Sequence, residues 1–273
     1  MRTIVHLSDL HFGRVDATLL EPLRRAIAAL APDVVVVSGD LTQRARREEF
    51  RQARAFLDTL PQPRIVVPGN HDVPLYDVAS RFLRPLGNYR RYICEDVEPA
   101  HVDDEIAIVG VNTARSLTFK GGRIGHDQIE RVRAKLCALP DATVKVVVTH
   151  HPFDVPPLSA DGQIVGRAPL AMEMLAGCGA DILLAGHLHL SHAGDTTARY
   201  RIHGFAALVV QAGTATSTRS RGEVNAFNAL EVAGDDVSVA RYEWIAEASR
   251  FAEVSVEAYR RSEHGWSSRP ASN

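Results

Sequence analysis

Asp33-Val34-Val35-Val36-Val37-Ser38-Gly39-Asp40 is the stretch from which the fold can be read. Four consecutive valines make a β-branched apolar run too short for a helix. Such a run suits a strand covered on both faces, as in a parallel sheet between layers. It stops at Gly39-Asp40, so a carboxylate stands at the carboxyl end of a central strand, where open α/β sheets place their chemistry. Taken alone, Gly-Asp is ordinary turn material.

The pattern recurs four times. Ile4-Val5-His6-Leu7-Ser8 ends at Asp9-Leu10-His11, and Ile65-Val66-Val67-Pro68 ends at Gly69-Asn70-His71-Asp72. Val144 to Thr149 ends at His150-His151, and Ile182-Leu183-Leu184-Ala185 ends at Gly186-His187-Leu188-His189. Each apolar run delivers His, Asp or Asn, the residue types of metal ligation and acid–base chemistry.

The 273 residues fit one large domain, with 45% hydrophobic and 23% charged residues. A formal net charge of -2 gives no reason to expect a nucleic-acid-coating surface. Cys94, Cys137 and Cys178 are widely spaced and form neither a disulfide framework nor a zinc-ribbon spacing; Cys137 and Cys178 are expected in the core. A reducing compartment follows. With no apolar run of about 18 residues and no charged-then-apolar leader, a soluble cytoplasmic protein is expected.

Apolar spacing predicts helices over about 17–30, 45–60, 126–138 and 168–176. Strand–helix–strand order implies parallel pairing with right-handed crossovers. Residues 73–100, broken by Pro74, Pro85 and Gly87, predict a short helix and loop serving as a lid. Residues 152–166, with no apolar period, predict a substrate loop. Alternation from Arg199 to Trp244 predicts antiparallel strands closing a second sheet. The catalytic domain is expected over 1–245, followed by an extension over 246–273 whose polar end, from Glu263, frays.

In an extended segment residues i and i+2 point the same way, so Asp9 with His11, and His187 with His189, can each aim two donors into one space. Asp40, Asn70 and His150 bring the candidate ligands to seven, too many for one tetrahedral ion but suited to two ions sharing a carboxylate. Only two of the seven are anionic, so two divalent ions would leave a centre of about two positive charges that attracts phosphate and acidifies water.

The series Asp9-x-His11, Gly39-Asp40, Gly69-Asn70-His71-Asp72, His150 and Gly186-His187-x-His189 resembles the calcineurin-like metallophosphoesterase signature, in order, over residues 3 to 189. The run from Gly39 through Phe50 is most similar to the bacterial branch that includes class III cyclic-nucleotide phosphodiesterases; Gln43 stands where many members carry an acidic residue or Asn. The resemblance implies an α/β fold, a four-layer α/β/β/α sandwich of two facing mixed sheets flanked by helices. It implies two divalent ions (Mn, Fe or Zn, mixed Fe/Mn or Fe/Zn pairs included). Asp9, His11, Asp40 and His189 would hold the first; Asp40, Asn70, His150 and His187 the second.

Attack by a metal-bridging hydroxide is implied, with His71 stabilising phosphate oxygen or protonating the leaving alkoxide and Asp72 orienting His71. His151 stands as the alternative to His150. Arg115, and Arg219 or Arg221, are candidate phosphate contacts, equally readable as surface arginine. The expected substrate is a small phosphodiester or nucleotide, 3′,5′-cyclic nucleotides among them, with no nucleic-acid or membrane partner and self-association left open. The alternatives are a nucleotide-sugar or UDP-diacylglucosamine-type pyrophosphatase, a phosphomonoesterase, and a non-catalytic scaffold. Residues 73–100 look too short and polar for an acyl-binding insertion, and the complete ligand set speaks against the scaffold.

Overall fold

A computed structural model describes residues 1–156, 163–218 and 222–269. The chain begins with β1 (Arg2–Leu7), α1 (Leu20–Ala29), β2 (Val34–Val37), α2 (Arg47–Leu57) and β3 (Arg64–Val66). Two short helices, α3 (Val78–Leu83) and α4 (Gly87–Tyr92), lead to β4 (Ala100–Val102) and β5 (Ile106–Gly110). Then come α5 (His126–Leu136), β6 (Val144–Val148), α6 (Ala168–Gly177) and β7 (Ile182–Ala185). The remainder is strand: β8 (His192–Asp195), β9 (Leu208–Gln211), β10 (Ala226–Ala233), β11 (Asp236–Ile245), β12 (Arg250–Ser262) and β13 (Gly265–Arg269).

The strands form two mixed sheets, ordered β13-β12-β11-β10-β1-β2-β3 and β4-β5-β6-β7-β9-β8. β1, β2 and β3 are parallel, as are β5, β6, β7 and β9. The valine run shows why the layers stack as they do. Val35 and Val37 pack outward with Leu23, Ile27 and Phe50 of α1 and α2. Val34 and Val36 pack inward with Ile106, Val146 and Leu184 of the facing sheet. Both faces of β2 are therefore buried, and each buried valine contributes roughly 1.5–3 kcal/mol. On the far side Val147 and Leu183 pack under Ile129, Val132, Met172 and Leu175 of α5 and α6. The result is the expected helix–sheet–sheet–helix sandwich.

Three expectations need correction. The β-rich stretch from Arg199 to Trp244 does not close one sheet. β9 joins the second sheet, whereas β10 pairs antiparallel with β1, Ile4 opposite Leu230, and extends the first. Alternation marks a strand but leaves its neighbour unspecified. Residues expected to fray also contribute to the fold: β13 pairs with β12, and Trp266 is buried with its Nε1 donating to Asp181 Oδ1 at 3.0 Å. Residues 270–273 lie outside the described residues.

Cys137 and Cys178 form a disulfide joining the ends of α5 and α6, with Cys137 exposed rather than in the core. Disulfides are rare in reducing compartments, so the cysteine-based inference of a reducing compartment loses its support. Cys94 is a free cysteine. No helix among the described residues is long and apolar enough to cross a membrane.

Trp266→Ala should lower unfolding free energy by about 3–5 kcal/mol, because it opens a cavity and removes one of the hydrogen bonds to Asp181, which keeps those from Arg261 and the Lys145 amide. Chemical denaturation measures this; a loss below about 1 kcal/mol would show that β13 is an ornament on an independent fold.

Candidate metal centre

The candidate donors stand just past strand ends: Asp9 and His11 after β1, Asp40 after β2, Asn70 in a 3-10 turn after β3, His150 after β6, His187 and His189 after β7. Parallel pairing within each sheet brings these carboxyl ends to a common edge. The extended-segment explanation for the Asp-x-His and His-x-His pairs does not hold. Asp9, His11, Asp40, His187 and His189 all have positive φ, between 51° and 72°. They are five of the nine non-glycine residues in that region among those described. Asp and His tolerate it better than most, but it still costs free energy and persists only where the surroundings enforce it. The sharp left-handed turns, not a pleat, fold both members of each pair inward.

Two glycines make the convergence possible. A Cβ on Gly69 would lie 2.1 Å from Asp40 Oδ1, and one on Gly186 would lie 1.8 Å from Ser8 Oγ. No side chain fits at either position.

The donors then meet. His11 Nε2 lies 3.3 Å from His189 Nε2, 3.4 Å from Asp9 Oδ1 and 3.8 Å from Asp40 Oδ2. His189 Nε2 lies 3.2 Å from Asp9 Oδ1. On the other side, Asn70 Oδ1 lies 3.1 Å from both His150 Nε2 and His187 Nδ1, and His150 Nε2 lies 3.3 Å from Asp40 Oδ2. Two donors at about 2.0–2.2 Å from one ion stand roughly 2.8–3.6 Å apart. Most of these spacings fall in that window. Asp9 Oδ1 is buried with no hydrogen-bond partner, a cost a cation would remove. The donor set therefore fits divalent metal ions, and Asp40 Oδ2 faces donors of both groups.

Surrounding bonds aim the donors. Ser8 Oγ and the His187 amide donate to Asp9 Oδ2, leaving Oδ1 facing inward. The His71 amide donates to Asp40 Oδ1, leaving Oδ2 inward. Asn70 Nδ2 donates to Phe119 O, turning its oxygen to the histidines. His150 Nδ1 lies 2.8 Å from Ser38 O, which can only accept. In neutral His150 the proton is thus on Nδ1 and the Nε2 lone pair faces the cluster. His151 differs: its two ring nitrogens lie 2.8 Å from Thr113 Oγ1 and 3.0 Å from Lys120 O. Between the two histidines, His150 has the geometry of a ligand and His151 anchors the loop that carries Lys120.

Burial opposes charge on Asp9 and Asp40, yet His189 and His11 beside Asp9, and His150 beside Asp40, hold both carboxyls well below the usual range. Burial lowers His150 too, but Asp40 overcomes it and raises its pKa to about 9. His151 is pushed well below its ordinary value by burial and then by His150 and His187, which keeps it neutral. Burial and the neighbouring Asp40 raise Asp72 to about 6, against the pull of its hydrogen bonds.

Asp72, expected to orient His71, accepts instead from the amides of Gly69, Leu41 and Thr42 and from Thr42 Oγ1, tying the β2 and β3 turns together. His71 Nδ1 donates to Gln43 O at 2.9 Å. Arg115 bonds Gln128 at the start of α5 and is absent from the cavity beside His71. Arg219 and Arg221 lie outside the described residues, as does 157–162 of the expected substrate loop. The cavity that does adjoin Asn70 and His71, of about 250 Å³, is lined by Arg44, Arg81 and Lys120. None is a candidate site residue by sequence, where Arg44, in the run Arg44-Ala45-Arg46-Arg47, reads as solvated helix face. Larger cavities elsewhere contain none of the candidate donors. Within residues 73–100, expected to form a lid, Tyr89 is core, with its hydroxyl on Val66 O, whereas Tyr76 and Phe82 are exposed.

Gly186→Ala should weaken Mn²⁺ binding at least about tenfold by displacing Ser8 and Asp9. Calorimetric titration of a variant with wild-type circular dichroism checks this; unchanged affinity would mean that the Ser8–Asp9 contact is dispensable.

The chain aligns with a glycerophosphodiester phosphodiesterase of Enterobacter lignolyticus at 37% identity over 101 residues, 30% of this chain and 33% of that one. It aligns with a UDP-2,3-diacylglucosamine pyrophosphatase of Chlamydia muridarum at 34% identity over 76 residues, 27% of this chain and 23% of that one. These alignments span a third or less of the relatives' length. A dimetal phosphatase structure from Danio rerio superposes with a TM-score of 0.62 at 16% identity, covering 93% of this chain and 98% of that one. The sequence model of calcineurin-like phosphoesterases matches residues 2–191, and the chain belongs to that family.

Proposed function

We propose that the protein is a dinuclear metal-dependent phosphoesterase that hydrolyses small phosphodiesters, 3′,5′-cyclic nucleotides among the candidates. The observation that carries this reading is the single oxygen, Asp40 Oδ2, near donors of both histidine groups, 3.3 Å from His150 Nε2 and 3.8 Å from His11 Nε2. Asp9, His11, Asp40 and His189 would hold one ion; Asp40, Asn70, His150 and His187 the other. The mixed nitrogen and oxygen set suits Mn, Fe or Zn. When bound, such a pair polarises phosphoryl oxygens and acidifies water.

The chain's own groups supply the rest. His71 is held by Gln43 O at Nδ1, so Nε2 is the position at which it stabilises phosphate oxygen or carries a proton to the leaving alkoxide. Half-burial of Asn70, His71 and His187 keeps one side of the centre open to substrate, while Asp9, His11, Asp40 and His150 are shut off from solvent.

A second reading, a pyrophosphatase acting on an acylated nucleotide sugar, draws support from apolar groups within residues 73–100, which look too polar in sequence, and from two more in the loop after β5. Tyr76, Val78, Phe82, Leu83, Leu117 and Phe119 are all exposed apolar groups. Arg81 of α3 donates to Ser116 O and Thr118 O, so these residues belong to two tied segments beside the cavity. Exposed apolar surface of this kind suits an acyl chain.

Mn²⁺-reconstituted protein should hydrolyse bis(p-nitrophenyl) phosphate faster than the mono-ester, with Asp40→Ala reducing diester turnover at least about a hundredfold. Mono-ester preference would favour a phosphatase, and diester turnover surviving in Asp40→Ala would remove the dinuclear centre from the reaction. His71→Ala should cost at least about tenfold more with an alkyl leaving group than with p-nitrophenolate, which needs no protonation. Equal losses would mean that His71 acts on the phosphate alone.

A further inference from the structure

Cations collect in the cavity beside His71, and among the described residues they meet no partner of opposite charge. Its lining shares Asn70 and His71 with the donor cluster and includes Arg44, Arg81, Phe119 and Lys120, but no Asp or Glu. Several arginines elsewhere are paired, as Arg24 with Glu21, Arg54 with Asp58 and Arg2 with Asp103. Arg81 is 3% exposed, and among the described residues its guanidinium donates to the backbone carbonyls of Pro74, Ser116 and Thr118 and to no side chain. It places a buried positive charge against the cavity wall. The Arg44 guanidinium lies 5.3 Å from the centre of the Tyr76 ring and, among the described residues, meets no carboxylate. Lys120 is exposed, its loop pinned by the His151 contact at its carbonyl.

The charge sum shows why this matters. Two divalent ions against Asp9 and Asp40 would leave about two positive charges, which a hydroxide and a monoanionic diester together neutralise. Three further cations are in excess of what the scissile group needs. In a chain of net charge -2, such a surplus is not the general composition.

We propose that the substrate carries a second anionic group, a carboxylate or phosphate on one ester arm, bound by Arg44 and Lys120 while Arg81 supplies field and holds the wall in shape. This rests on the phosphoesterase reading above and specifies which esters that site prefers, favouring a doubly charged diester over the singly charged 3′,5′-cyclic nucleotides among its candidates. An anion there would make charge-assisted hydrogen bonds, stronger than neutral ones and screened by salt.

Two near-isosteric probes separate the charge from everything else: 4-phosphonobutyrate and butylphosphonate differ by a carboxylate in place of a methyl group. Calorimetric titration of Mn²⁺-loaded protein should show 4-phosphonobutyrate binding at least about tenfold more tightly, mostly lost in Arg44→Gln/Lys120→Gln and shrinking as salt rises. Both substitutions lie outside the donor cluster, and wild-type binding of Mn²⁺ verifies the variant. Failure of 4-phosphonobutyrate to bind more tightly than butylphosphonate, or a preference that survives the double substitution, overturns the proposal. Turnover of p-nitrophenyl butyl phosphate, measured in parallel, reports separately on the phosphoesterase reading.

Discussion

The arrangement at the strand ends turns on one oxygen, Asp40 Oδ2, which lies near donors of both histidine groups. Asp40 Oδ2 points toward both histidine groups because Oδ1 is held by the His71 amide at 2.8 Å. That bond exists because Gly69 lets the β3 turn approach to a distance no Cβ would permit. The turn in turn is fastened by Asp72, whose oxygens take amides from Leu41, Thr42 and Gly69. Two strand ends from one sheet are thereby locked to each other before any ligand is considered.

Such an arrangement is costly by itself. Buried carboxylates and imidazoles oppose folding unless paired, and five donors occupy left-handed backbone. The compensation comes from the layers behind them. β2 is buried on both faces, and the inter-sheet core of Ile4, Val36, Ile108 and Val146 fixes the sheets against each other. A rigid sandwich can hold strained ends that a loop-built site could not. His6 fits the same logic: burial lowers its pKa to about 3, so it stays neutral and meets Ser38 Oγ at 2.9 Å, behind the Ser38 carbonyl that orients His150.

Much of the fold and most of the centre were legible because the decisive residues sit at the ends of unbroken apolar runs. Asp9, Asp40, Asn70, His150 and His187 are each a residue or a few beyond such a run, and parallel pairing does the rest. The left-handed turns were not legible, since φ leaves no trace in residue type when Asp and His themselves occupy it. The partner of β10 was hidden because alternation is indifferent to which edge accepts it. Cys137 and Cys178 are 41 residues apart and meet only because α5 and α6 pack side by side on one sheet. Arg115 misled because a guanidinium in sequence shows no partner, and Gln128 claims it. Lys120 lies in a stretch with no periodicity, so nothing announced its approach to Asn70 and His71.

Electron paramagnetic resonance of the Mn²⁺-loaded protein tests the shared oxygen most directly. Two ions joined through Asp40 Oδ2 should give the multiline signal of an exchange-coupled pair, lost in Asp40→Ala. The six-line spectrum of isolated Mn²⁺ at saturating metal, or a coupled signal that persists in Asp40→Ala, would contradict a centre built around that oxygen.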